Sequence, residues 1–132
     1  NLALAFENSN NIDESLILLQ NIIETDSNNY KALAKLGEIY GKHKQNIKQA
    51  EIYLLKSISI NPNNLNALEN LGIVYGIMNN FEKSVEFFNK ALAIDSSIPR
   101  LHLNIANSYF LLKNMKKFEF HKNKAQSLEK KL

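Results

Sequence analysis

The sequence predicts an all-α chain built from stacked antiparallel helix pairs. Three observations carry that expectation. A motif of 34 or 35 residues recurs along the chain; its apolar residues fall at helical spacing; and 4 Gly and 2 Pro in 132 residues leave little material for a sheet rich in tight turns. The clearest copies are YKALAKLGEIYGK from Tyr30, LNALENLGIVYGI from Leu65 and PRLHLNIANSYFL from Pro99. Gly37 and Gly72 are 35 residues apart and Gly72 and Ala106 are 34 apart, with Tyr40, Tyr75 and Tyr109 three residues after each.

Taken in order, the elements follow the repeat. Residues 1–29 form a first unit that lacks its first five residues, with Leu2, Ala3 and Phe6 in the places of Leu36, Gly37 and Tyr40. Residues 30–64, 65–98 and 99–132 are the second, third and fourth units of one array. Opening inside a helix, the chain reads as a piece of a longer protein. In the third unit Leu68, Leu71, Gly72 and Tyr75 mark the first helix, and Phe81, Val85, Phe88, Ala91 and Leu92 mark the second. Asn79-Asn80 separates them, because Asn tolerates left-handed backbone and bonds its own main chain. Between units stand Asp26-Ser27-Asn28-Asn29, Asn61-Pro62-Asn63-Asn64 and Asp95-Ser96-Ser97. Pro62 lacks an N–H and stops a helix. Ser96 or Ser97 is expected to cap the helix that Pro99 opens. The extra residue of the 35-residue interval is expected in Lys44-Gln45-Asn46. Each small residue (Gly37, Gly72, Ala106) lets two helices approach closely, and a lone pair cannot bury its apolar face, so the units must stack.

Composition excludes several functions. With no Cys there is no disulfide, thiolate metal site or cysteine nucleophile. No stretch is long and apolar enough to span a bilayer, so the segment reads as soluble, without membrane insertion. No secretory signal opens it, which points to the cytoplasm. His43, His102 and His121 show no metal spacing and read as surface or packing residues. No phosphate-binding loop, nucleophile elbow or HExxH is present, so neither a catalytic residue, a cofactor nor a metal is expected. Glu82 and Glu86 share a face and are expected to pair with Lys83 and Lys90 or with water. The net charge of +3 is uneven: residues 1–66 sum to −1 and residues 67–132 to +4. Seven lysines from Lys113 to Lys131 face only Glu119 and Glu129, and such a face suits solvent, nucleic acid or an acidic partner. Asn occurs 20 times, much of it in the breaks between helices.

The Leu-Gly-x-x-Tyr motif, followed by Ala, an aromatic, another Ala and then Pro, resembles the tetratricopeptide repeat. The third unit carries Leu71, Gly72, Tyr75, Phe88 and Ala91 in the family places; the second carries Leu36, Gly37, Tyr40, Ala50 and Pro62. Leu68 stands for the family's Trp, Ser84 for an Ala and Ser96 for a Pro. In the fourth unit His102 and Phe118 depart furthest, which bears on the packing of its second helix. Pentatricopeptide repeats have similar spacing, but Gly-x-x-Tyr and Asn-Pro-Asn-Asn argue against them.

The resemblance implies a right-handed α-solenoid whose first helices line a concave groove that binds a peptide or helix. The family's groove positions fall here on Lys31, Lys35, Glu38 and Lys42 in the second unit; on Asn66, Asn70, Ile73 and Ile77 in the third; and on Arg100, Asn104, Asn107, Phe110 and Leu111 in the fourth. Asn1, Asn70 and Asn104 share one repeat position, similar to the asparagine ladder of some glycosyltransferase arrays, with Lys35 on the remaining rung. Amides there can donate to and accept from a peptide backbone. A carboxylate clamp found in chaperone-binding members does not carry over, since its places hold Ala34, Glu38, Asn70, Arg100 and Asn104. The implied function is a non-catalytic protein-interaction module. The alternatives are self-association through repeat ends, where Leu2, Leu4, Phe6, Phe120, Leu128 and Leu132 would be exposed, and nucleic-acid or anionic-partner binding by the basic last helix.

Overall fold

The computed structural model describes residues 11–131, and every regular element among them is a helix. These are α1 (Ile12–Thr25), α2 (Tyr30–Lys42), α3 (Ile47–Ile60), α4 (Leu65–Ile77), α5 (Phe81–Ile94), α6 (Pro99–Leu111) and α7 (Met115–Glu129). The expectations placed on Asn1, Leu2, Ala3, Leu4, Phe6 and Leu132 lie outside the described residues. The chain divides into two compact units after Ala67.

Five of the seven described helices start where an asparagine side chain satisfies a free amide. The Oδ1 atoms of Asn29, Asn46, Asn80 and Asn114 accept from the backbone N–H of Ala32, Gln49, Lys83 and Lys117 at 3.0–3.2 Å. Asn64 does the same for Ala67 at 3.4 Å. Helix α6 differs from the sequence expectation. Its N-cap is Ile98, with no side-chain cap, and Pro99 sits in the first turn. Ser97 instead donates from both its N–H and its hydroxyl to Asp95, at 2.9 and 2.5 Å. That closes an Asx turn ahead of the helix, and Pro99, having no N–H, leaves one fewer donor to cap.

The turn inside each helix pair is built the same way three times. The residue before the capping Asn is left-handed: Gln45 at φ 50°, Asn79 at 61° and Lys113 at 63°. The capping residue's own N–H returns to the carbonyl of the repeat tyrosine, Asn46 to Tyr40, Asn80 to Tyr75 and Asn114 to Tyr109, at 2.8–2.9 Å. The first of these turns has one residue more than the others, at 43–46, where the 35-residue interval places it.

In the first compact unit, Leu16 and Leu19 of α1 pack on Ala32, Leu36 and Ile39 of α2. Helices α2 and α3 meet closely at Gly37, where a Cβ would lie 2.5 Å from Leu54 Cγ. Ser57 on α3 donates to the Tyr30 carbonyl at 2.7 Å. In the second unit, Leu71, Val74, Phe88, Ala91, Leu101, Ile105, Ala106 and Ala125 are buried among α4 to α7. Gly72 lies against Phe88, and a Cβ there would sit 2.6 Å from the ring. Phe118 does not obstruct α7. Its ring turns to Phe110, centroids 5.2 Å apart, while Ala125 keeps the close contact at 0% exposure.

Candidate functional site

The groove candidates of the second compact unit fall into two groups. Ile73 and Ile77 stand one turn apart on α4, 38% and 56% exposed. On α6, Asn104, Asn107 and Leu111 face the same space. Between the two helices lies a recess of about 220 Å³, lined by these five side chains with Phe81, Phe88 and the glycines Gly72 and Gly76, and floored by Ser84 and Ser108. No ionisable side chain lines it. The floor is satisfied internally. Ser84 donates to the Gly72 carbonyl at 2.8 Å, so its single proton is committed and Ser108 donates to Ser84 at 2.9 Å. This accounts for Ser in a place where the repeat ordinarily carries Ala.

Arg100 and Phe110 point elsewhere. Arg100 holds Glu69 through two bonds, Nε to Oε2 at 2.6 Å and Nη2 to Oε1 at 2.9 Å. Glu69 is only 7% exposed, so the pair consumes the charge of the chain's one arginine. Phe110 is half exposed and meets Phe118. Asn70 is half-buried and Asn66 exposed, both on α4 outside the recess lining.

In the first compact unit Lys35, Glu38 and Lys42 form one cluster. Both lysines reach Glu38, Lys42 at 3.0 Å and Lys35 at 3.4 Å. Burial pushes the Glu38 carboxyl up, but the Lys42 hydrogen bond and the two lysine charges outweigh it and hold the carboxyl below its ordinary value. Lys31 is exposed at the start of the same helix.

The structure also joins residues that sequence spacing left apart. Tyr40 stacks on Tyr53, Tyr75 on Phe87 and Tyr109 on His121, with centroids 5.4–5.6 Å apart and planes within 17°. The partners Tyr53, Phe87 and His121 are 34 residues apart, so the repeat contains the signal. His121 therefore occupies an aromatic packing place. Its Nδ1 lies 3.0 Å from Nδ1 of His102, whose Nε2 is 2.9 Å from the Ser96 carbonyl. A carbonyl only accepts, so neutral His102 carries its proton on Nε2 and receives a hydrogen bond from His121. Burial first, then the His102 and Lys117 charges, hold His121 below its ordinary value of 6.5.

Paired helices at a fixed period, with a shallow neutral recess between first helices, define a helical-repeat protein-interaction module. Two tetratricopeptide-repeat family models match the chain, at residues 30–64 and 53–86, which identifies tetratricopeptide repeats in this part of it. Among solved structures it is similar to MamA MSR-1, with 26% identity over 98% of this chain and 74% of that one at a TM-score of 0.83. MamA AMB-1 gives 25% identity, 99% and 77% coverage and a TM-score of 0.86. The structure titled functional characterization of pilF from Pseudomonas aeruginosa matches in fold, at 20% identity, 96% and 57% coverage and a TM-score of 0.86. The fold class is accordingly that of the α-solenoids. No sequence among curated proteins matches the chain significantly. Among the described residues no helix is long and apolar enough to cross a membrane.

Proposed function

We propose that the chain is a non-catalytic module that binds a peptide segment of a partner protein in the recess between α4 and α6. The recess itself carries this reading. Its volume of about 220 Å³ is below the ~300–1,000 Å³ usual for small-molecule and cofactor pockets and suits one bulky apolar side chain. Ile73, Ile77 and Leu111 supply apolar walls, and burial of an apolar side chain against them drives association. Asn104 and Asn107 stand at the same mouth, where each amide can donate to a peptide carbonyl and accept from a peptide N–H. Asn70, one repeat before Asn104, extends the same chemistry along α4. The partner is then recognised by one apolar anchor and its backbone, with little reading of charge. We read residues 1–132 as one array of four units.

Selection of binders from a displayed random-peptide library tests the reading. The selected peptides should share one large apolar residue, and their affinity should fall on Asn104→Ala and on Leu111→Ala at unchanged melting temperature. Peptides indifferent to both substitutions would remove the recess from consideration.

A further inference from the structure

A second surface lies on α7, independent of the recess. Phe120 is 62% exposed, the most exposed large apolar side chain among the described residues. With 3.6 residues per turn, Lys116, Lys117 and Lys124 fall within about 60° of Phe120 around the helix axis, while Glu119 is about 100° away and Glu129 is on the opposite side. All three lysines are exposed. No ion pair among the described residues involves any of them. Lys117 lies over the Tyr109 ring at 5.4 Å.

The repeat shows that this face looks to solvent by construction. Counting back by the repeat interval, Phe120 corresponds to Glu86, Ile52 and Ile17, and all three are exposed, the isoleucines at 57% and 59%. Those positions remain uncovered even where further helices follow in the chain. The fourth unit alone makes the face aromatic, and its Glu119, in the place of Glu51, forms no ion pair among the described residues. In the third unit Glu82 and Glu86 stand in the places of Lys116 and Phe120, and Lys90 is spent on Glu86 at 3.4 Å. In the second unit, Ile52 lies between Lys48 and Lys56, but Lys48 pairs with Glu51 at 3.5 Å. Phe120 is also held in place, its ring meeting His121 edge-on with centroids 5.0 Å apart.

We infer that this face of α7 docks an acidic segment of a partner protein, with Phe120 as the apolar anchor and Lys116, Lys117 and Lys124 as its charged rim. Charge complementarity sets the sign of the partner, since three cations surround the ring and the neighbouring carboxylate, Glu119, pairs with none of them. One aromatic ringed by charge is the pattern of a protein hot spot. A strand of nucleic acid needs a run of aromatic platforms for successive bases, and a bilayer surface needs an apolar stripe along the helix. A single Phe between lysines offers neither.

The test uses the whole chain and a short labelled peptide rich in glutamate with one central leucine, at low and physiological salt. The peptide should bind, weaken roughly tenfold on Phe120→Ala, and lose most of its salt dependence when Lys116→Gln and Lys124→Gln are combined. Asn104→Ala, which addresses the recess, should leave it unchanged. Because the lysines are on the surface, their double variant tests the face even if Phe120→Ala lowers the melting temperature. The inference is overturned if the peptide fails to bind at low salt, if the lysine variants bind as well as the parent, or if oligothymidylate or phosphatidylserine vesicles bind more tightly and displace the peptide.

Discussion

Arg100 and Glu69 are joined by two parallel hydrogen bonds, and only one of the two side chains is in water. Glu69 is 7% exposed, whereas the Arg100 side chain is 60% exposed. The fork of a guanidinium matches a carboxylate at two points, which lysine cannot do. Removing Arg100 leaves a largely buried carboxylate without its partner. Arg100→Ala should therefore destabilise the chain by roughly 1–2 kcal/mol, a figure kept low because half the pair is screened by solvent. Arg100→Lys should recover only part of this. A double-mutant cycle with Glu69→Gln, read by urea unfolding, isolates the coupling.

The close approaches at Gly72 and Gly76 predict opposite outcomes for the same substitution. At Gly72 an added methyl meets three atoms of the Phe88 ring between 2.6 and 2.8 Å, so Gly72→Ala should cost about 1–3 kcal/mol through overpacking. At Gly76 the nearest atom is Ser84 Oγ at 3.6 Å, an ordinary contact. Gly76→Ala should stabilise by up to about 1 kcal/mol through helix propensity. It also narrows the recess floor, so peptide affinity and melting temperature should move in different directions.

Three turns place a residue with a side chain in left-handed backbone. For Gln45 and Lys113 this costs on the order of 1 kcal/mol, and less for Asn79, whose side chain tolerates the region. Gln45→Gly and Lys113→Gly should raise the melting temperature, and Asn79→Gly should do so least. Asn80→Ala, which removes the bond to Lys83 N–H, should lower stability by about 1 kcal/mol.

The His102–His121 pair predicts a weakening of the fold in mild acid. His121 has its folded value held below 6.5 by burial, then by His102 and Lys117, so the unfolded chain takes up its proton first. Its contribution is whole above about pH 6.5 and is lost as pH falls through the lower, folded value. Melting temperature followed from neutral pH to about pH 5, above the ordinary carboxylate range, should fall for the parent chain and change less for His121→Phe.

Much of the fold was legible because a repeat reports itself several times. The helix starts follow from Asn at the breaks, and the length of the turn at 43–46 follows from one 35-residue interval among 34-residue ones. Close packing at Gly37 and Gly72 follows from small residues beside tyrosine. The cap of α6 was not legible, because Asp95, Ser96 and Ser97 all qualify chemically and only the Asx turn decides among them. Of the candidate site, the family resemblance marked Ile73, Ile77, Asn104, Asn107 and Leu111, whose side chains line one recess. It marked Arg100 too, with nothing to indicate that Glu69, 31 residues earlier, takes up its charge.

The sequence by itself determined the period, the all-helical class and where the breaks between helices fall, because these depend on local backbone preference and on apolar spacing within about 15 residues. Tertiary structure alone decided which polar groups remain available. Whether a lysine, arginine or histidine is free depends on what another helix brings within hydrogen-bond distance, and that distance is unrelated to separation along the chain. Packing spends Glu69 of α4 on Arg100, 31 residues away, and sets His121 against His102 and Tyr109, while Lys116, Lys117 and Lys124 stay around an exposed ring.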